Sequence, residues 1–94
     1  MAVAVLIKIP GGTREQYEAV LEKIGLASKG AQWPAGALVH IAGPTEGGWR
    51  VADVWESREA FEQFERERLQ QAAAEVGIPP FELEFFPVHN LYRG

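Results

Sequence analysis

The feature that most restricts the fold of this chain is the order in which its hydrophobic pattern changes period along the sequence. Apolar residues first alternate as in a strand and then recur every three to four positions as in an amphipathic helix. Two strands, a second helix and a last strand follow. The predicted strands cover residues 2–9, 37–43, 49–56 and 81–90, and the predicted helices cover residues 13–24 and 57–76.

Capping and breaking residues support these helix boundaries. Thr13 and Gln16 have the spacing of a capping box at the start of the first helix, and Ser57 is a candidate N-cap for the second. Gly25 and Gly77 stand where the helices are expected to end, because glycine readily takes the left-handed conformation of a helix terminus. Both helices are therefore bounded by residues that suit those positions.

The order strand, helix, strand, strand, helix, strand predicts an α+β fold of the ferredoxin-like type, βαββαβ. This fold is a four-stranded antiparallel sheet with two helices on one face, and residues 1–94 are expected to form a single domain. The first and third strands are expected in the middle of the sheet. Pro87 favours an edge position for the last strand, because proline lacks the N–H that a central strand would use.

The two helices can cover only one face of such a sheet, and the other face predicts a partner. That open face is expected to carry Ala4 and Leu6 of the first strand, together with large aromatic residues of the third and fourth strands. An apolar face of this kind is typical of an interaction surface. We therefore expect a homodimer that packs sheet against sheet.

Composition excludes several other kinds of partner. The net charge of −4 argues against nucleic-acid binding, which needs clustered lysine and arginine. No apolar run is long enough to span a bilayer, and residues 2–7 lack the basic start of a signal peptide, so no membrane association is expected. The chain has no cysteine, which excludes disulfide and thiolate chemistry and is consistent with a cytoplasmic protein.

Two polar residues interrupt apolar strands and are the candidate catalytic residues: His40 in the second strand and Asp53 in the third. If the hairpin pairs Pro44 with Trp49, His40 lies opposite Asp53, whereas a register shifted by one residue puts them on opposite faces. Histidine can act as a base near neutral pH, and a carboxylate can orient it. The alternative is a hydrogen-bonded pair that fixes the dimer interface.

Aromatic residues are the main candidates for substrate binding. Trp33 lies in an irregular loop, residues 26–36, where it could cover a pocket or plug the end of the core. Trp49 and Trp55 share the parity of Asp53, and they could form the aromatic wall of a pocket or anchor a dimer interface.

Phe64 on the second helix and His89 near the end of the last strand complete the candidate substrate-binding residues. His89 could join a pocket or be solvated. His40 and His89 are isolated and far apart in the sequence, so no metal-ligand spacing is present and no metal is expected.

The sequence GWRVADVWES at residues 48–57, followed by EAFEQF at residues 59–64, resembles the strand-into-helix junction of the antibiotic-biosynthesis-monooxygenase-like proteins. The resemblance extends over nearly the whole chain in the order and length of the elements. It is most specific at Val54-Trp55-Glu56-Ser57. It implies a small dimeric α+β barrel.

This family includes cofactor-free oxygenases of aromatic polyketides and haem-degrading enzymes. The haem degraders use a tryptophan and a ligating histidine on or near the second helix, where this chain has Phe64 and alanines, so no cofactor is expected. The resemblance implies a cofactor-independent monooxygenase acting on a small aromatic or polyketide-like substrate, with His40 as base. Two alternatives stay open: an acid–base cyclase or lyase of the same fold, and a non-enzymatic dimeric module that binds a small ligand or has a structural role.

Overall fold

The four strands form one antiparallel sheet in the computed structural model, which describes residues 1–28 and 30–94. The sheet order is β2-β3-β1-β4, so the predicted ferredoxin-like arrangement with the first and third strands in the middle is confirmed. The strands are β1 (Val3–Pro10), β2 (Ala37–Thr45), β3 (Gly48–Trp55) and β4 (Glu82–Pro87). The last strand ends at its proline, short of the predicted end, and lies at an edge as the proline predicts.

Two helical stretches accompany the sheet. The first, α1 (Arg14–Lys23), begins at the predicted capping box. There the Gln16 amide donates to Thr13 Oγ1 over 3.1 Å and the Thr13 amide donates to Gln16 Oε1 over 3.0 Å. The second stretch begins after Ser57, whose hydroxyl accepts the Ala60 amide. No helix within residues 1–28 and 30–94 is both long enough and apolar enough to cross a membrane.

The second helical stretch is not the uninterrupted α-helix that the sequence predicts. It consists of α2 (Arg58–Phe64), a π-helical segment at Glu65–Leu69 and α3 (Gln70–Val76). Phe64 and Leu69 are too far apart in sequence to share one face of an α-helix, and the wider π-helical turn lets both line the space above the sheet. The spacing of Phe64 and Leu69 in the sequence therefore indicates that the α-helix is interrupted between them.

The main core lies between the sheet and the helical stretches, and it contains both tryptophans of β3. β1 pairs with β3 so that Val3 lies opposite Trp55 and Ile9 lies opposite Trp49, and residues directly opposite each other share a face. The two tryptophans therefore pack on the same side as Phe61 of α2. The expectation that the third strand puts large aromatics on the open face is wrong, because parity within one strand does not relate its faces to those of its neighbour.

The open face of the sheet is apolar at Ala4 and Leu6 of β1, as predicted, and Lys8 of the same face forms an ion pair with Glu84 of β4, with 3.4 Å between Nζ and Oε1. Ala4 of this strand pairs with Phe86 of β4, whose side chain is 47% exposed. Leu6 shares the face with Ile41 of β2, which is 63% exposed. Phe85 points the other way and packs against the core, so the two adjacent phenylalanines lie on opposite faces as predicted.

The β2–β3 hairpin has the register that brings the candidate catalytic residues together. Pro44 pairs with Trp49, and as a result His40 lies opposite Asp53. Nearer the start of β2, Leu38 is an extra residue that forms a β-bulge. The hairpin turn, and not the far end of β2, therefore determines which residue faces Asp53.

A backbone hydrogen bond holds the end of the loop that precedes β2 at the junction between β3 and α2. The Glu56 amide donates a hydrogen bond to the Gly36 carbonyl over 2.8 Å. Gly36 has a φ of 92°, and a Cβ atom there would lie 2.8 Å from the Cβ atom of Ala60, so the position requires glycine. This contact fixes the end of the loop that carries Trp33.

Candidate active site

A cavity of about 80 Å³ lies between the sheet and the helical stretches. Its walls are mostly apolar and come from both layers of the fold, including Ile7 and Val51 of the sheet. The titratable side chains that line it are Tyr17 of α1, His40 of β2 and Asp53 of β3. They are hydrogen-bonded in a row, so they form one polar end in an apolar space.

The centre of this row is the pair of candidate catalytic residues. His40 Nδ1 lies 2.7 Å from Asp53 Oδ1, and both side chains are largely buried. The pair belongs to one chain and faces the helices rather than the open face of the sheet. This location fits a residue pair at a cavity better than a pair that bridges two subunits through the sheet.

The Asp53 carboxylate is held from a second side by an indole. Trp55 Nε1 donates to Asp53 Oδ2 over 3.1 Å, and Trp55 in turn packs against Phe61 and Phe64. A buried carboxylate is costly unless its oxygens accept hydrogen bonds, and here each oxygen has a donor. Trp55 and Phe64, two of the candidate substrate-binding residues, also line the cavity.

Tyr17 belongs to the site but is not among the residues predicted from the sequence. Its hydroxyl lies 2.5 Å from His40 Nε2, on the side of the imidazole away from Asp53. Burial raises the pKa of the Tyr17 hydroxyl above its ordinary value, and the carboxylates of Asp53 and Glu18 raise that pKa further. The sequence contains one indication of this role. Tyr17 lies on the apolar stripe of α1, and a tyrosine that packs toward a core needs a hydrogen-bond partner for its hydroxyl.

The hydrogen-bond partners of His40 determine its tautomer. The Asp53 carboxylate only accepts, so Nδ1 of the neutral imidazole carries the hydrogen. Nε2 is then the acceptor, and the Tyr17 hydroxyl donates to it. The row can accept a proton at Nε2 and stabilise the resulting imidazolium with the adjacent carboxylate, which is the behaviour of an oriented general base.

Trp33 forms the most exposed part of the cavity wall. Its ring centroid lies 4.5 Å from that of His40, with 34° between the ring planes, and its side chain is 37% exposed. The other lining residues are buried or partly buried. Trp33 therefore lies between His40 and solvent, at the wall of the cavity.

Two predicted substrate-binding residues lie outside this cavity. Trp49 is buried behind Tyr17, with ring centroids 5.3 Å apart, and its Nε1 has no hydrogen-bond partner among the described residues. His89 is exposed and follows the end of β4. The cavity of a single chain therefore does not use either side chain.

The part of the chain that the structure describes contains no group of three or more histidine, cysteine, aspartate or glutamate side chains arranged to hold a metal ion.

No family model matches the sequence, and a search of the curated proteins finds no relative. Solved structures do resemble the chain. Rv0793 from Mycobacterium tuberculosis has a TM-score of 0.71 at 16% identity, over 99% of this chain and 100% of its own. SnoaB from Streptomyces nogalater, described as a cofactor-independent oxygenase, has a TM-score of 0.60 at 16% identity, over 96% of this chain and 94% of its own.

This chain has the antibiotic-biosynthesis-monooxygenase fold. A further protein of this fold is MhuD from Mycobacterium tuberculosis, a heme degrader whose structure holds two hemes in the active site. It has a TM-score of 0.56 at 24% identity, and all of both chains is covered. At these identities the likeness shows the shared fold alone.

The described residues of this chain do not fit a haem. Both nitrogens of His40 are hydrogen-bonded within the protein, and no histidine occurs between Arg58 and Val76. Binding sites for drug-sized ligands have volumes of about 300–1,000 Å³. The cavity of about 80 Å³ is far smaller than a site for a porphyrin.

Proposed function

We propose that this chain is a cofactor-independent monooxygenase of a small aromatic substrate, with His40 as the base that removes a substrate proton. The observation that carries the proposal is the oriented imidazole at the polar end of an otherwise apolar cavity. Asp53 keeps Nε2 in its acceptor state and stabilises the charge that His40 gains. Trp33, Trp55 and Phe64 supply aromatic walls against which a flat substrate can pack.

The proposed reaction needs a base, molecular oxygen and no other reactant. Proton transfer from a phenolic or enolic hydroxyl group of the substrate to the His40 imidazole leaves a resonance-stabilised anion with carbanion character at a ring carbon, and this carbon transfers electrons to O2 as a carbon–oxygen bond forms. The peroxide takes the proton back from His40 and loses water together with the hydrogen of that carbon, so one O–H group, one C–H group and O2 become two carbonyl groups and H2O. Apolar walls favour this sequence because they admit O2 and exclude water from the anion.

The size of the cavity constrains how a substrate enters. An apolar cavity of about 150 Å³ holds benzene, and the present cavity is about 80 Å³. A single aromatic ring therefore requires a side chain to move. Trp33 is the best suited, because it is the most exposed part of the wall.

We also propose that the chain acts as a homodimer through its open sheet face. The apolar side chains of Ala4, Leu6, Ile41 and Phe86 lie on that face. Two of them, Ile41 and Phe86, are more than a third exposed in the single chain. Burial of such a face against a second copy removes this apolar surface from water.

Oxygen consumption with a panel of electron-rich aromatics, such as hydroquinone, naphthol and anthrone, tests the proposed activity. His40→Gln is expected to lower the rate by about 100-fold or more, while His89→Gln leaves it unchanged because His89 is exposed and outside the cavity. Labelled O2 must appear in the organic product. Equal uptake by the two variants would contradict a role for His40 as base.

The hydrogen-bonded row favours a second candidate, an acid–base cyclase or lyase, because the row moves a proton without any need for O2. Solvent-deuterium exchange into the same substrates under anaerobic conditions separates the two. Exchange that depends on His40, without oxygen uptake in air, favours the cyclase or lyase. Binding without exchange or uptake leaves a non-enzymatic ligand-binding module.

A further inference from the structure

Both ring nitrogens of His40 are hydrogen-bonded within the protein. Nδ1 of His40 donates to Asp53, and Nε2 accepts from the Tyr17 hydroxyl at 2.5 Å. A ligand cannot bond either nitrogen unless one of these contacts breaks. Tyr17 itself lines the cavity, and its oxygen keeps acceptor capacity after donating its one hydrogen to His40.

We propose that the Tyr17 hydroxyl oxygen is the atom that receives the substrate's proton, and that His40 acts through Tyr17. This inference rests on the proposed function and specifies its first step. A hydroxyl group of the substrate donates to the Tyr17 oxygen, so that substrate, Tyr17, His40 and Asp53 form one continuous row. Tyr17 is then the catalytic residue that contacts substrate, His40 is the base that takes up a proton through Tyr17, and Asp53 is a positioning residue behind them.

Proton transfer along this row balances without a further reactant. The O–H bond of the substrate breaks as a new O–H bond forms on Tyr17, while the original Tyr17 proton moves to His40 Nε2. The substrate is left as an anion, Tyr17 is neutral before and after, and the imidazolium lies beside the Asp53 carboxylate. The raised pKa of the Tyr17 hydroxyl agrees with this role, because it keeps the group protonated until another proton arrives.

The charges around the cavity add a restriction on the ligand. Among the described residues, no lysine or arginine lines the cavity, and Asp53 does. A carboxylate or phosphate group would face this aspartate without a cation to pair with, which is unfavourable in an apolar space. The site is therefore suited to an uncharged ligand whose hydroxyl group becomes charged only through proton transfer.

The test uses probes of one shape and needs no turnover. Phenol, toluene and benzoate are titrated into isotopically labelled protein, and methyl resonances of cavity-lining residues such as Val51 and Leu69 report binding. The wild-type protein is compared with His40→Phe, Tyr17→Phe/His40→Phe and Tyr92→Phe. Tyr92 is the matched control, because it is the other tyrosine of the chain and is highly exposed.

We expect the wild type and Tyr92→Phe to bind phenol roughly fivefold more tightly than toluene, as one hydrogen bond allows, and to bind benzoate more weakly than either. In His40→Phe the preference for phenol over toluene is retained within about twofold, because the Tyr17 oxygen can still accept from phenol. In Tyr17→Phe/His40→Phe it disappears, because neither the Tyr17 hydroxyl nor His40 Nε2 is left to accept.

A different pattern overturns the inference: if His40 contacts the ligand directly, His40→Phe alone already loses the preference for phenol. Absence of any shift at the cavity methyls also overturns it, because the cavity is then not the binding site. Oxygen uptake is measured separately. Binding through Tyr17 without uptake refutes the oxygenase and leaves the assignment of Tyr17 intact, whereas uptake that survives Tyr17→Phe refutes only the assignment.

Discussion

His40 and Asp53 face each other across β2 and β3, and the 2.7 Å contact between them fixes which imidazole nitrogen carries a hydrogen. The same carboxylate is held by the indole of Trp55. Since Asp53 is 8% exposed, its position depends on these two donors and not on water. The tautomer of the His40 imidazole is therefore determined by buried residues rather than by solvent.

Replacement of Asp53 by asparagine is expected to reverse the tautomer of His40 with little loss of stability. The asparagine oxygen still accepts from Trp55, and its NH2 group donates to Nδ1, so the imidazole hydrogen moves to Nε2. Activity should fall by about 100-fold or more because Nε2 no longer accepts, while the free energy of unfolding changes by about 1 kcal/mol or less. Nitrogen-15 shifts of the imidazole identify the tautomer. An unchanged tautomer would contradict this account.

The two tryptophans of β3 give a matched test of the bond to Asp53. Trp49→Phe and Trp55→Phe each replace a buried indole by a smaller ring. Of the two tryptophans, only Trp55 donates its indole N–H to a partner among the described residues. Trp55→Phe should therefore lower the free energy of unfolding by about 1–3 kcal/mol more than Trp49→Phe does. Urea denaturation measures the difference. Equal losses would mean that the bond to Asp53 adds nothing to stability.

Stability is expected to fall at high pH through Tyr17. The pKa of this hydroxyl is raised in the folded protein above its ordinary value of 10.0, chiefly by burial. As the pH rises, the Tyr17 hydroxyl therefore loses its proton at a lower pH in the unfolded chain than in the folded protein. The stabilisation that Tyr17 provides is complete below about pH 10 and is lost as the pH rises through the pKa of the folded state. Urea denaturation between about pH 8 and pH 11 should show a smaller decline for Tyr17→Phe than for wild type. Tyr92→Phe should decline as wild type does, and an identical decline in both variants would exclude Tyr17 as the source.

The proposed dimer predicts that a charge on the open face produces monomers. Ile41→Asp puts a carboxylate at an exposed apolar position of that face, where a second copy would have to bury it. Ala74→Asp, at an exposed position of α3, is the matched control and should leave the mass in solution unchanged. Sedimentation velocity measures the mass. A wild-type protein that sediments as a monomer at micromolar concentration would contradict the proposal.

The sequence predicted those features that depend on local patterns. The element order, the caps at Thr13 and Ser57 and the edge position of β4 follow from residues within a few positions of each other. The pairing of His40 with Asp53 was predicted for only one of two possible hairpin registers, and the structure has that register. The other predictions agree with the structure for the same physical reason.

The features that it could not predict depend on packing between distant elements. Tyr17 reaches His40 only because α1 lies over β2, a contact that no spacing along the chain encodes. The inward orientation of Trp49 and Trp55 depends on the register between β1 and β3, which a helix and a further strand separate in sequence. The size of the cavity likewise depends on how the helices rest on the sheet.

The β-bulge at Leu38 means that the two ends of β2 are adjusted independently. The β2–β3 hairpin determines the position of His40. The backbone contact at Gly36 determines the position of the end that leads back to Trp33, and the extra residue Leu38 accommodates the difference in register between the two ends. The segment over the cavity can therefore be exchanged or lengthened without moving the imidazole away from its carboxylate. Ligand preference and proton chemistry are thus separable traits, and selection or engineering can alter the first while the second is kept.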